Sequence, residues 1–187
     1  AVSGRPVFVT YSFDTRAAGA GAGDFPAVFL NSFQAFGPVE QATARQALAA
    51  WADISGLTFL EAPAGQGDIR FGLYEFDLAF ATARDMAGFA YLPSVFAGSN
   101  GALEQDVGGD VFIDIGQATF STLIHEIGHA VGLKHPFEGT VVLDPALDDA
   151  AHSVMTYNTG VGPLTGLGML DAQPCQRPDP RVVGHHR

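Results

Sequence analysis

Alternating apolar and polar residues predict a series of short β-strands. Between Val7 and Phe13 every second residue is apolar or aromatic, which places Val7, Val9, Tyr11 and Phe13 on one face of a strand. In Asp68 to Phe71, Ile69 and Phe71 point one way and Arg70 the other. The same criterion predicts further strands at Leu57 to Leu60, Asp68 to Phe71, Phe89 to Leu92 and Val111 to Ile115.

Two segments show helical periodicity instead. The first begins at Pro38 and ends between Asp53 and Gly56, and its apolar residues recur at the spacing of one buried helix face. That face consists of Ala44, Ala47, Leu48 and Trp51. The second helix is predicted over Thr119 to Val131, whereas Ala97 to Gly109 and the Gly- and Pro-rich residues after the second helix are predicted to be loops. This order of elements predicts a sheet with two helices packed on it.

Composition narrows the class of protein. With 187 residues and 47% hydrophobic residues, the chain suits one folded domain and is too apolar for extensive disorder. The net charge is −11 and Lys134 is the one lysine, so a basic nucleic-acid-binding surface is not expected. No apolar run is long enough to span a bilayer, and residues 1–10 lack signal-peptide features. The single cysteine, Cys175, cannot form an internal disulfide.

The chemistry of the chain is concentrated in His125-Glu126-Ile127-Gly128-His129-Ala130-Val131-Gly132-Leu133-Lys134-His135. His125 and His129 are four residues apart, so a helix places both imidazoles on one face, where they can bind one ion. Gly132 stands where a helix can end in a left-handed residue, and the chain can then bring His135 back to the same ion. Three histidine ligands leave a fourth position for water, which is typical of a catalytic zinc site.

Glu126 projects about 100° away from His125 around the helix, so it suits the role of a proton acceptor better than that of a metal ligand. There it can take a proton from a water at the metal and pass it to the leaving amine. The alternative is a chance His-x-x-x-His pair or a histidine hydrogen-bonded in a core. The number of matching positions favours the metal site.

This segment resembles the zinc-binding consensus of the metzincin metallopeptidases, and Pro136 after the third histidine is similar to the serralysin type. Ser153-Val154-Met155-Thr156-Tyr157 resembles the Met-turn of that clan. Weaker similarity extends over residues 7–158, in Val9 to Phe13, the helix ending at Trp51, Gly67 to Gly72, Phe89 to Pro93, and Gly109 to Phe112. The resemblance implies an α/β (α+β) domain over residues 1–172: a twisted mixed sheet, two long helices, an active-site cleft and a small irregular C-terminal subdomain.

The resemblance also implies roles that spacing alone does not give. Tyr157 would be a switchable fifth zinc ligand that moves to hydrogen-bond the developing oxyanion, rather than an ordinary half-buried tyrosine. Met155 would pack beneath the metal without coordinating it. Phe89, Ala90, Tyr91 and Leu92 would form the edge strand that pairs with an extended peptide substrate, rather than a plain short strand.

Other features are less specific. Glu104, Asp106 and Asp110, and likewise Asp144, Asp148 and Asp149, offer oxygen ligands for Ca²⁺, although such acidic runs are more often solvated loops. His152 is expected at the surface or behind the zinc ligands, and His185 and His186 in a tail. The calcium-binding nonapeptide repeats of serralysin-type enzymes do not occur in this sequence. Residues 173–187 are predicted to be an irregular or truncated tail, because Pro174, Pro178 and Pro180 interrupt any helix.

Together these observations predict a zinc-dependent endopeptidase that acts on extended protein or peptide substrates. His125, His129 and His135 would bind one Zn²⁺, Glu126 would be the general base and acid, and Tyr157 would assist at the oxyanion. The alternative is a catalytically inactive module of the same fold that binds zinc and captures a peptide or partner. We expect a monomer without nucleic-acid or membrane partners, and the family resemblance implies an extracellular location.

Overall fold

The computed structural model describes residues 7–17, 25–79, 86–93, 95–97, 103–105 and 109–158, with the backbone alone for 95–97 and 103–105. In the described part of the chain two helices follow the first strand, six strands come next, and a third helix follows the last strand. In chain order they are β1 (Val7–Phe13), α1 (Ala27–Asn31), α2 (Pro38–Ser55), β2 (Leu57–Glu61), β3 (Ile69–Tyr74), β4 (Gly88–Ala90), β5 (Val95–Ala97), β6 (Leu103–Gln105), β7 (Val111–Asp114) and α3 (Phe120–Ala130). Short 3₁₀ turns occur at Phe76–Leu78 and Pro145–Leu147.

A five-stranded mixed sheet with the order β2-β1-β3-β7-β4 organises these elements. The pairs β1–β2, β1–β3 and β3–β7 are parallel, and β4 runs antiparallel to β7 at one edge. Parallel neighbours need a crossover connection, and α2 provides it between β1 and β2. The mixed sheet with two longer helices confirms the predicted fold class.

The two longer helices cover one face of the sheet and enclose the main core. Trp51 of α2 donates its indole N–H to the carbonyl of Ile124 in α3 at 2.8 Å, which fixes the two helices against each other. The ring of Phe71 on β3 and the side chain of Ile127 on α3 are both fully buried in this core. The buried face of α3 therefore packs against α2 and the sheet.

An aromatic cluster fills the opposite face near the β4 edge. Its buried members are Phe25, Phe29, Tyr74, Phe76, Phe89 and Phe112. The rings of Phe89 and Phe112 stack with centroids 4.6 Å apart, and this contact ties β4 to β7. The short helix α1 supplies Phe29, which is completely buried.

Two predictions from the pattern need correction. The strand predicted at Phe89 to Leu92 lies at Gly88–Ala90, because its position is set by pairing with β7. The segment Ala97 to Gly109 is not wholly a loop, since β5 and β6 pair antiparallel in a separate two-stranded sheet. Three-residue strands are too short to produce a recognisable alternation. In the described part of the chain, no helix has the length and apolarity to cross a bilayer.

Candidate metal centre

Helix α3 presents the first two histidines. The helix starts at the N-cap Thr119, whose side-chain oxygen accepts a hydrogen bond from the backbone N–H of Thr122 at 3.2 Å. Its residues from Thr122 to Ala130 are all buried. His125 is 1% exposed and His129 is 5% exposed, one turn apart on the same helix. The centroids of the two rings lie 4.8 Å apart, so the imidazoles stand side by side.

Gly132 follows the end of the helix, where the chain changes direction. It has a positive φ of 103°. The N–H of Gly132 donates to the carbonyl of His129 at 2.8 Å, and the N–H of Leu133 donates to the carbonyl of Gly128 at 2.9 Å. This pair of bonds is a Schellman motif, which favours glycine at the left-handed position. The turn then carries His135, which is 3% exposed, back to the helix.

Each of the three rings has a hydrogen-bond acceptor at Nδ1. The carbonyl of Val154 lies 2.8 Å from Nδ1 of His125, and the carbonyl of Leu133 lies 2.8 Å from Nδ1 of His129. At His135 the partner is a carboxylate, with Oε1 of Glu138 at 3.0 Å from Nδ1. Carbonyl and carboxylate oxygens only accept, so Nδ1 carries the ring proton and Nε2 keeps its lone pair.

The Nε2 side of the rings has the geometry of a metal site. Nε2 of His129 and Nε2 of His135 lie 3.1 Å apart, and one nitrogen from each of the three rings lies within 4.8 Å of the others. Nε2 of His125 is buried and has no hydrogen-bond partner among the described residues. Two ligands at 2.0–2.1 Å from a tetrahedral zinc are about 3.3 Å apart. Nitrogen lone pairs that face each other at this separation repel unless a cation lies between them. The donor set therefore fits Zn²⁺.

Burial also keeps two of these rings neutral. Loss of solvation lowers the pKa of His125 to about 3, with a further contribution from the nearby His129. Loss of solvation likewise lowers the pKa of His129 to about 4. Neutral imidazoles are the form that binds metal. Both rings are therefore ready to act as ligands at neutral pH.

Glu126 lies between α3 and the edge strand β4, and it is 3% exposed. A Cβ atom placed on Gly88 would stand 3.0 Å from Cγ and 3.1 Å from Oε1 of Glu126. Glycine at this position thus leaves the space that the carboxylate occupies. The structure brings Glu126 to the buried side of the histidine helix, and its role as a proton acceptor stays a prediction.

The predicted Met-turn lies beside the histidines. Met155 is 4% exposed and its sulfur contacts Gly128 closely, where any larger residue would collide with it. The hydroxyl of Tyr157 lies 3.3 Å from Nδ1 of His135, and the two ring centroids are 4.3 Å apart. The structure therefore brings both residues to the site. Coordination of zinc by Tyr157 stays a prediction.

The predicted substrate strand does lie at an edge of the sheet. The N–H of Tyr91 donates to the carbonyl of Asp110 at 3.1 Å, and the carbonyl of Ala87 accepts from Asp114 at 3.0 Å. In an antiparallel ladder the intervening residues, Gly88 and Ala90, direct their main-chain groups to the other side. The ring of Phe89 is buried in the aromatic cluster, and the same alternation turns its main-chain groups toward β7, so this residue does not face a peptide at the free edge. Leu92 is 48% exposed.

Glu138 is the site residue that the sequence interpretation missed. Partial burial opposes its ionisation, but the hydrogen bonds from His135 outweigh that effect and lower the pKa of the carboxyl. The available signal was a carboxylate three residues after the third histidine. The carbonyls of Leu133 and Val154 were also missed, because main-chain acceptors leave no trace in side-chain spacing.

The acidic clusters give no comparable grouping. Among described residues, the three histidines are the one set of three or more potential ligands that converge. Both carboxylate oxygens of Asp110 bind the guanidinium of Arg70. His152 pairs with Asp149, at 2.7 Å from Nδ1 to Oδ1. Asp106, the side chain of Glu104, His185, His186 and the predicted tail at 173–187 lie outside the described residues.

Comparisons with known proteins agree with this geometry. Residues 32–158 match the Matrixin family. The chain is 31% identical over 172 residues to "Metalloprotease AprA" of Pseudomonas entomophila (strain L48), covering 82% of this chain and 33% of that protein. It is 29% identical over 175 residues to "Serralysin" of Proteus mirabilis, covering 83% of this chain and 35% of the relative. The chain thus spans about a third of the length of these relatives.

Proposed function

Because the chain belongs to the Matrixin family of metzincin metallopeptidases and is of the serralysin type, we propose that it is a zinc-dependent endopeptidase that hydrolyses peptide bonds of extended protein substrates. The observation that carries this proposal is the convergence of three buried histidines whose Nδ1 atoms are all bound to acceptors. His125, His129 and His135 would hold the ion through Nε2. Bound there, zinc would polarise the scissile carbonyl and acidify a water molecule.

Glu126 would act first as the general base and then as the general acid. Its carboxylate would accept a proton from the attacking water and then deliver it to the nitrogen of the leaving amine. Burial beside β4 supports this role, because a carboxylate in a desolvated site interacts strongly with a nearby proton donor. Because Gly88 has no side chain, the carboxylate of Glu126 can occupy the space beside β4.

Tyr157 and the edge strand would act on the substrate. The phenol of Tyr157, which touches His135, would donate a hydrogen bond to the oxyanion that forms at the carbonyl. The main-chain groups of Gly88 and Ala90 that point away from β7 would pair with an extended peptide. Met155 would serve as packing beneath the ligands.

The same proposal extends to the substrates, the oligomeric state and the location of the protein. We propose protein or peptide substrates, a monomeric protein and an extracellular location, each on the basis of the family resemblance. The negative charge of −11 supports the expectation that nucleic acid is not a partner. No observation favours the alternative of an inactive capture module, since the base that such a module would not need is present at the site.

The experiment is to compare the wild-type protein with Glu126→Gln. Glutamine keeps the size of the side chain but cannot accept the proton of the attacking water. We expect the variant to bind one equivalent of zinc with wild-type affinity and to lose casein and peptide-library hydrolysis by roughly 10²–10⁴-fold, which is the usual contribution of a general base. A variant that cleaved casein at the parent rate would disprove the assigned mechanism.

A further inference from the structure

We propose that Glu138 is a positioning residue that holds His135 in the tautomer and orientation needed for metal binding. The inference rests on the proposed zinc site and adds a residue that acts on the metal through its ligand. His125 and His129 have main-chain carbonyls at Nδ1, whereas His135 has a side chain there. The third ligand is therefore the one whose orientation a single side chain controls.

Glu138 contacts His135 at two points. Its Oε1 lies 3.0 Å from Nδ1 of the ring, and its Oε2 lies 3.4 Å from the backbone nitrogen of the same residue. The backbone N–H of Glu138 also donates to the carbonyl of His135 at 3.2 Å, which closes a turn. Both carboxylate oxygens are thus directed to one residue that is almost fully buried.

The turn that carries Glu138 is itself fixed. Lys134 donates from Nζ to the carbonyl of Glu138 and, at 2.6 Å, to the carbonyl of Val141. The ring of Phe137 lies parallel to the ring of His135, with centroids 5.2 Å apart. These contacts hold the carboxylate and the imidazole in one relative orientation, although half of the Glu138 side chain is exposed.

A second group competes for the same ring nitrogen. The hydroxyl of Tyr157 lies 3.3 Å from Nδ1 of His135. If the hydroxyl donated to Nδ1, a neutral ring would have to carry its proton on Nε2, and that nitrogen could no longer bind a metal. The carboxylate of Glu138 can only accept, so it keeps the proton on Nδ1. It thereby leaves the Nε2 lone pair for the ion.

A carboxylate behind a histidine ligand also strengthens that ligand. Such partners fix the ring and raise its basicity, and their loss typically lowers metal affinity about 10- to 100-fold. For this chain we expect Glu138→Ala to weaken zinc binding within that range. Glu138→Gln retains an acceptor without the charge, so it should weaken binding less than Glu138→Ala.

The first measurement is zinc affinity by competition with a chelator, for wild type, Glu138→Ala, Glu138→Gln and the control Glu75→Ala. Glu75 is exposed and its carboxylate touches none of the three histidines in the described structure, so its removal should leave the affinity unchanged. Thermal unfolding of the metal-free variants checks that each is folded. Equal affinities for wild type and Glu138→Ala, or equal losses for Glu138→Ala and Glu75→Ala, would overturn the proposal.

The second measurement needs no zinc. Nitrogen-15 NMR of the metal-free protein at pH 7.5 reports which ring nitrogen of His135 carries the proton. We expect Nδ1–H in wild type and in Glu138→Gln, and Nε2–H in Glu138→Ala, where Tyr157 becomes the partner. An unchanged tautomer in Glu138→Ala would overturn the role of Glu138. Failure of the wild type to bind zinc would instead refute the proposed function, while this measurement would still decide what Glu138 does.

Discussion

Met155 occupies the space that a side chain at Gly128 would need. A Cβ atom at Gly128 would overlap the sulfur of Met155 and stand 3.1 Å from the ring of Trp51. The glycine inside the histidine motif therefore allows the Met-turn to lie directly against α3. That close approach brings the carbonyl of Val154 to Nδ1 of His125.

Replacement of Gly128 by alanine should destabilise the protein although alanine favours helices. The gain in helix propensity is about 1 kcal/mol, whereas overpacking of a core costs typically 1–3 kcal/mol. We expect a lower free energy of unfolding in denaturant titrations. The double variant Gly128→Ala/Met155→Ala should lose less than the sum of the two single variants, because the collision is gone. Strictly additive losses would show that the two residues do not compete for space.

Alanine at Gly88 should affect turnover more than folding. Its Cβ would stand 2.9 Å from Cδ1 of Ile113, 3.0 Å from Cγ of Glu126 and 3.1 Å from Oε1 of Glu126, so the tip of the isoleucine and the carboxylate would both have to move by several tenths of an ångström. Small displacements of a catalytic group lower rates by roughly tenfold to a hundredfold. We expect peptide hydrolysis to fall by that factor while zinc affinity stays at the wild-type value. Wild-type turnover in Gly88→Ala would mean that β4 does not position Glu126.

The metal-free protein should lose stability as the pH falls below 6.5. Burial lowers the pKa of His125 to about 3 and that of His129 to about 4 in the folded state. As the pH falls from 6.5 to about 4, these two histidines become protonated in the unfolded chain but stay neutral in the folded protein. The free energy of unfolding therefore decreases over this range. The expected loss is about 1 kcal/mol or more per pH unit. Denaturant titrations with a chelator at pH 7 and pH 5 measure it, and equal stability at both values would contradict the burial of neutral rings.

The ion pair between Arg70 and Asp110 should be needed for stability. Asp110 is 2% exposed, and Nε of Arg70 donates to its Oδ1 at 2.7 Å, which joins β3 to the residue before β7. Removal of one partner from a buried pair costs about 3–5 kcal/mol, because the other charge stays buried. We expect a loss of this size in Arg70→Met. Arg45→Met, at an ion pair whose side chains are 43% exposed, should lose less than about 1 kcal/mol. Equal losses in the two variants would contradict this account.

The pattern of the chain predicts the elements that are long or strongly periodic. The apolar periodicity of α2 and the glycine at its end, Gly56, are both recognisable in the sequence. In the structure Gly56 has a φ of 72°. Helix α1 has five residues and no side-chain cap, and it exists because Phe29 is buried against the sheet. Strands β5 and β6 depend on each other, so neither is recognisable alone.

At the site, too, the sequence predicts some residues, whereas others depend on tertiary contacts. The spacing of His125, His129 and His135 predicts a metal ligand set, and these three rings converge in the structure, with a positive φ at Gly132 where the chain turns. Glu138 could not be predicted, since its contact with His135 depends on a turn held by Lys134. Likewise the burial of Phe89 follows from the aromatic cluster on the far face of the sheet, which periodicity in one strand does not reveal.

The most direct test of the central claim is zinc K-edge X-ray absorption on the protein with one equivalent of zinc. The account predicts three imidazole nitrogens at about 2.0–2.1 Å, plus an oxygen from water or from Tyr157. Replacement of His135 by alanine should remove one nitrogen from this set. A zinc ion bound by fewer than three imidazoles in the wild type, or a wild type that takes up no zinc, would contradict it.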